Sequence, residues 1–200
     1  MPMRVAVCVS GRGSNLGALL AELGPDAPAE VVLVLSNRST AGGLELARTA
    51  GIPSEVLADA SNAEEWLERL RAHRVDLLVL AGFLKLVPAP VIAAFRDRIL
   101  NIHPSLLPAF GGAGMYGERV HRAVLESGAT VSGATVHLVD EVYDRGRILA
   151  QALVPVRPGD TPADLGHRVL EVEHRLLPAV VLAAARAGKP VPVSIQPSTQ

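Results

Sequence analysis

Apolar and amphipathic stretches alternate through the first hundred residues, and few folds accommodate that order. Residues 4–10, 30–36, 75–81 and 98–102 read as strands. Between them, residues 14–23, 41–51, 63–73 and 88–95 carry the spacing of amphipathic helices, and a short strand fits at 54–57. Runs that are almost continuously apolar suit parallel strands covered on both faces. Strand–helix alternation then implies right-handed crossovers and a doubly wound sheet. Ligands of such sheets bind beyond the carboxyl ends of the strands.

The second half changes character. Residues 131–140 and 147–156 form two long strand-like segments joined by a turn at 141–146. They predict an antiparallel pair. A long helix follows, with Thr161 as N-cap, Pro162 as first helical residue, Asp164 completing a capping box, and Gly188 ending it. The expected fold class is α/β: a single doubly wound, mostly parallel sheet with helices on both faces, an antiparallel strand pair and a long C-terminal helix. The Pro-rich segment 190–200 reads as an extended tail.

Several classes are excluded by composition. The net charge of −1 lacks the basic footprint of a nucleic-acid binder. No apolar run is long enough to span a bilayer, and the N-terminus does not read as a signal peptide. The one cysteine, Cys8, lies in an apolar strand; it reads as a buried small hydrophobe and fits a reducing compartment. The expected location is cytoplasmic. No HExxH motif or Cys/His cluster predicts a metal, and no GxSxG motif is present.

Asn101 and His103 lie two apart at the end of the run 98–102 and just beyond it, so alternation along an extended chain sends both to one side. An amide donor beside an imidazole suits an oxyanion at an acyl-type carbon, although a capped strand end would look the same. Gly11, Arg12, Gly13, Ser14 and Asn15 follow the first strand. The loop lacks the third glycine of a dinucleotide fingerprint and the Gly-Lys-Ser/Thr of a Walker A loop. Two readings remain: a phosphate cradle of backbone N–H groups with Ser14 and Asn15, or a tight turn with Ser14 as N-cap.

Leu84, Lys85, Leu86 and Val87 follow the most apolar strand, either as core packing or as a slot for a flat heterocycle. Asp144 sits in the hairpin turn. It is a solvated turn acid, or it folds over His103 and raises the pKa of that imidazole. Glu173 sits on the apolar stripe of the last helix, where it needs an arginine or a ligand as partner. His137 reads as a core histidine or as a partner of the Asn101/His103 cluster. His174 flanks Glu173 on a neighbouring stripe. His73, His121 and His167 read as surface or helix residues.

Together SGRGSNL, AGFLKLV, NIHPSLLP, SGATVHLVDEVYDRG and EVEH resemble the phosphoribosylglycinamide formyltransferase family, in that family's order and over essentially the whole chain. The resemblance implies formyl transfer from 10-formyltetrahydrofolate, as co-substrate and without a metal, to the amine of 5′-phosphoribosylglycinamide. It implies that Asn101 holds the oxyanion, that protonated His103 assists and relays a proton, and that Asp144 keeps His103 protonated. It gives Gly13, Ser14 and Asn15 the substrate phosphate and Glu173 the substrate's polar groups. Leu84, Lys85, Leu86 and Val87 would line the folate pocket together with Asn101.

One domain is expected over residues 1–189, with a phosphate-binding half to about residue 100 and a folate and catalytic half after it, as a monomer or homodimer. Formyltetrahydrofolate hydrolase is the alternative. It carries an N-terminal regulatory domain, for which a first strand at residue 4 leaves no expected room. Neither length nor charge favours a tRNA-formylating enzyme. A sugar-phosphate-binding module is a third reading, which gives Asn101, His103 and Asp144 no task.

Three departures stand out. Arg147 follows Gly146 where the family commonly has proline. The segment 109–117 is longer and Gly-rich, as a lid or a passive loop. Asn62, Ala63 and Glu64 stand where an arginine often meets the folate tail, which leaves Arg69 or Lys85 as substitutes.

Overall fold

A computed structural model describes residues 1–194. Seven strands form one sheet in the order β3-β2-β1-β4-β5-β6-β7. The strands are β1 (Met3–Val9), β2 (Ala29–Ser36), β3 (Ser54–Val56), β4 (Leu77–Leu80), β5 (Ile99–His103), β6 (Val131–Leu138) and β7 (Ile148–Pro155). The helices are α1 (Ser14–Glu22), α2 (Gly42–Thr49), α3 (Ala63–Ala72), α4 (Ala89–Ala94), α5 (Glu118–Glu126) and α6 (Pro162–Ala187). Strands β1 to β5 pair in parallel, whereas β6 pairs antiparallel with β5 and β7. The expected α/β fold class is the one observed.

Alternation along the strands explains two cores. Val5, Val7 and Val9 of β1 face one apolar cluster, shared with α1 and α6. Ala6 and Cys8 face the other, which holds Trp66 and Leu70 of α3 and Val91 and Ile92 of α4. Each face of β1 is thus sealed by helices, which is why the run is apolar throughout. Burial also pushes the Cys8 thiol up, so it is a packed hydrophobe.

The chain leaves β1 toward β2 and β3 on one side, then returns to β4 and β5 on the other. The order therefore reverses between β1 and β4. Loops leaving those two strands diverge and open a crevice. Residues 11–13 follow β1 and residues 81–88 follow β4, which brings the glycine loop and the apolar loop to the same edge.

Several local expectations are met. Thr161 and Asp164 form a reciprocal capping box, Pro162 opens α6, and Gly188 closes it in the left-handed region at φ 71°. Two differ. Gly13 caps α1 with no side-chain hydrogen bond, and Ser14 is the first helical residue, so Ser14 is not the N-cap. Helix α5 has no counterpart in the expected elements. Its nine residues follow a glycine-rich loop, and its stripe of Val120 and Val124 is too short to announce itself. Beyond α6, the Val193 N–H donates to the Leu149 carbonyl of β7 at 2.8 Å. The remainder of the expected tail, 195–200, lies outside the described residues.

Candidate active site

A cleft of about 500 Å³ opens at the carboxyl edge of β1, β4 and β5. Asn101, His103, Asp144, Asn15, Glu173 and the loop 84–87 all line it. Residues from five separate parts of the chain therefore meet in one volume.

Strand β5 supplies Asn101 and His103 on one face, as their spacing predicts. Asn101 lies opposite His137 in the antiparallel β5–β6 register. Its Nδ2 is 3.0 Å from His137 Nε2 and 3.5 Å from Asp144 Oδ1. His137 Nδ1 lies 2.8 Å from the Leu138 carbonyl, which can only accept, so that nitrogen carries a proton. Its Nε2 sits between Asn101 Nδ2 and Asp144 Oδ1, the latter 3.4 Å away. Of its two readings, His137 takes the one in which it partners the cluster.

His103 is buried, and both ring nitrogens are engaged. Nε2 donates to the Phe110 carbonyl at 2.9 Å, and Nδ1 lies 3.5 Å from Asp144 Oδ2. Burial pushes the His103 pKa down, while the Asp144 charge and the Phe110 carbonyl push it up, and the nearby His137 adds to the fall. The net direction is downward. Asp144 therefore opposes the cost of burial without overcoming it, which corrects the expectation of a raised His103. For Asp144 itself burial acts upward. Bonds from His137 and the Gly112 N–H, with the two imidazole charges, outweigh it and hold the carboxyl below the usual range.

The hairpin turn and the glycine-rich segment lock onto each other here. Asp144 adopts φ 56°, and its Oδ2 accepts from the Gly112 N–H at 2.8 Å. A Cβ on Gly111 would come within 2.4 Å of Leu107 Cδ2 and 3.1 Å of Asp144 Cβ, so a side chain there would press on Leu107 and on the Asp144 turn. The departure at Arg147 leaves the hairpin intact, because its carbonyl accepts from Leu138 N–H at 2.9 Å.

The glycine loop is built differently from a bare cradle. Gly13 has φ 80°, and a Cβ there would lie 2.6 Å from Gly43 Cα. Its glycine is demanded by close packing on α2. Asn15 reaches the cleft, as does Arg12 beside it, whereas Gly13 and Ser14 contribute no lining. Asn15 Nδ2 donates to Glu173 Oε2 at 2.7 Å, joining α1 to α6. This amide takes the place of the arginine considered for Glu173. Burial pushes the Glu173 carboxyl up to about 7, against the lowering effect of that bond. Asn15 Oδ1 is buried without a hydrogen-bond partner among the described residues.

The apolar loop serves both readings at once. Val87 is buried in the core with Phe83, whose ring meets Trp66 edge-on at 5.4 Å. Leu84 and Leu86 are exposed at the cleft. Lys85 lines the cleft and also an adjoining hollow with Asn37, Asp59 and Ser61. Arg69 lines neither, being held by Glu55 and Glu65. It is withdrawn as a substitute for the missing arginine, and Asn62 caps α3 instead.

Sequence reasoning missed His121. Placed on α5, it is buried and lines the cleft, with Nδ1 lacking a hydrogen-bond partner among the described residues. A Cβ on Gly166 of α6 would sit 3.0 Å from its ring, so that glycine makes room for it. The i, i+4 flank of Val120 and Val124 was the available signal. His167 also lines the cleft, and His73 contacts Glu55 at 3.1 Å. His174 is half-buried and its pKa is lowered by burial.

An amide, an imidazole and a carboxylate thus converge at the carboxyl edge of a doubly wound sheet. The family described as formyl transferase matches residues 3–181, and the chain belongs to that family. It is 48% identical over 186 residues to a chloroplastic phosphoribosylglycinamide formyltransferase of Arabidopsis thaliana, covering 89% of this chain and 64% of the relative. It is 44% identical over 194 residues to a trifunctional purine biosynthetic protein adenosine-3 of Drosophila pseudoobscura pseudoobscura, covering 92% of this chain and 14% of that one. The chain thus spans less than two thirds of these relatives' length. A crystal structure of phosphoribosylglycinamide formyltransferase from Anaplasma phagocytophilum superposes with a TM-score of 0.88 at 36% identity, covering 94% of this chain and 88% of that one. Among the described residues, no helix is long and apolar enough to cross a membrane.

Proposed function

We propose that the chain transfers the formyl group of 10-formyltetrahydrofolate to the amine of 5′-phosphoribosylglycinamide, a step of purine biosynthesis. The observation that carries this reading is the convergence of Asn101, His103 and Asp144 in the cleft that also holds Asn15 and Glu173. In this reading the amine nitrogen bonds to the formyl carbon, and the bond from that carbon to the donor's N10 breaks. One proton leaves the amine and one arrives at N10. Charge grows on the formyl oxygen between these events, and a positioned amide and imidazole stabilise such charge.

Asn101 supplies the amide donor, held by His137. His103 supplies the acid, and Asp144 opposes part of the burial that pushes its pKa down. Asn15, with the N–H groups around Gly13 and Ser14 at the start of α1, receives the phosphate. Glu173 receives the substrate's polar groups. Leu84, Lys85, Leu86 and Val87 hold the folate ring through apolar contact and backbone groups. A cleft of about 500 Å³ with both apolar and polar walls suits two small substrates.

Residues 1–189 act as one catalytic unit in this proposal, although the loop 84–87 and Glu173 cross the division expected near residue 100. The expected cytoplasmic location and the monomeric or dimeric state belong to the same reading. Pure protein with 10-formyltetrahydrofolate should release tetrahydrofolate only when phosphoribosylglycinamide is added. Release in its absence would instead support delivery to water, the hydrolase alternative.

A further inference from the structure

Ser10 follows the last residue of β1 and is buried, yet no step above uses it. Its backbone N–H donates to the Gly82 carbonyl at 3.1 Å. Its Oγ accepts from the Leu84 N–H at 2.9 Å and donates to Asn37 Oδ1 at 2.6 Å. One residue thus ties together the carboxyl ends of β1, β2 and β4. The hydroxyl is used both as acceptor and as donor. The amide can only donate, so the hydroxyl must pass its own proton on, and Asn37 takes it.

This tie holds both ends of the turn from Gly82 to Leu84. Gly82 reverses the chain at φ 74°. Phe83 inserts between the two anchors against Trp66. Leu84 and Leu86 then stand exposed at the cleft. Among the described residues, the backbone of 83–87 makes no hydrogen bond besides the one to Ser10. With Phe83 and Val87 buried on either side, the exposed residues between them have only this hydrogen bond to fix their direction. Without that bond, a ligand docking on them must supply the ordering free energy itself.

We propose that Ser10 is a positioning residue for the formyl donor: by clamping Leu84 it fixes the apolar slot that receives the donor's heterocycle. The inference rests on the formyl-transfer reading for its substrate, but the clamp itself can be observed without turnover. Trp66 is the one tryptophan of the chain, and its contact with Phe83 reports the loop's position.

Steady-state kinetics and Trp66 emission should be measured on the wild type, Ser10→Ala and Ser10→Thr. Ser10→Ala should raise KM for 10-formyltetrahydrofolate about tenfold, the scale of one lost hydrogen bond, with kcat and KM for phosphoribosylglycinamide within about twofold. Trp66 emission should shift in Ser10→Ala and return in Ser10→Thr, which keeps the hydroxyl. Equal rises in both KM values, or an unchanged donor KM, overturn the proposal. Should Ser10→Ala fail to fold, Asn37→Ala keeps the hydroxyl and removes its acceptor. It should raise donor KM selectively by about threefold, and no change there also overturns the clamp. A wild type that never transfers formyl refutes the functional reading alone. Unchanged emission in Ser10→Ala then refutes the clamp separately.

Discussion

Replacing Glu173 by Gln converts a buried acid into an isosteric amide and isolates the cost of charging it. In the folded chain this carboxyl titrates at about 7, because burial outweighs the hydrogen bond from Asn15. The ordinary glutamate value is 4.5. Below 4.5 both folded and unfolded chains keep the proton, and the residue adds no pH dependence. Between 4.5 and about 7 the unfolded chain releases its proton while the folded chain retains it, so stability falls as pH rises. At about 1.4 kcal/mol per pH unit, that interval amounts to about 3 kcal/mol, all of it lost above pH 7. Glu173 is 7% exposed, so solvent screens little of this.

The glutamine still accepts from Asn15 Nδ2 through its own oxygen but carries no charge. Glu173→Gln should therefore match the wild type near pH 4.5 and exceed its unfolding free energy by about 3 kcal/mol near pH 8. Urea unfolding of both proteins at several pH values between these limits measures the difference directly. A stability difference that does not grow with pH would refute the buried-acid assignment. The same variant should bind the phosphoribosyl substrate less well if Glu173 meets its hydroxyl or cationic groups.

Three other outcomes follow from the site. Asp144→Asn removes the charge that opposes burial of His103, so His103 loses its proton at lower pH. The fall of kcat/KM on the alkaline side should move downward, with about 100-fold lower activity at neutral pH; an unchanged pH profile contradicts that role. Asn101→Ala should lower kcat by about 10²–10³ with little change in either KM, as single-turnover kinetics would show. Gly13→Ala forces a Cβ to 2.6 Å from Gly43 Cα at φ 80°. It should cost about 1–3 kcal/mol of stability by thermal unfolding and weaken phosphate-substrate binding.

Local chemistry made much of this molecule legible in its sequence. Continuous apolar runs require burial on both faces, so the parallel strands and their helical covers were readable. The capping box of Thr161 and Asp164 depends on neighbours three residues apart, and the shared side of Asn101 and His103 on neighbours two apart. Each of these is a short-range fact. Helix α5 was not readable, because two valines after a glycine-rich loop carry too little periodicity, and His121 stayed hidden with it.

Long-range pairings decided the rest. Glu173 marked itself as a misplaced acid, but only the docking of α1 on α6 chose Asn15, 158 positions away, as its partner. The direction of the His103 pKa depends on how deeply the ring is buried against how near Asp144 lies, and spacing along the chain encodes neither. Arg69 looked available until Glu55 and Glu65 were found to hold it. The sequence by itself determined which polar groups stand out and which strands, turns and helices carry them. The tertiary structure alone decided their partners and their charge, because burial and Coulomb interactions act through space between segments far apart in the chain.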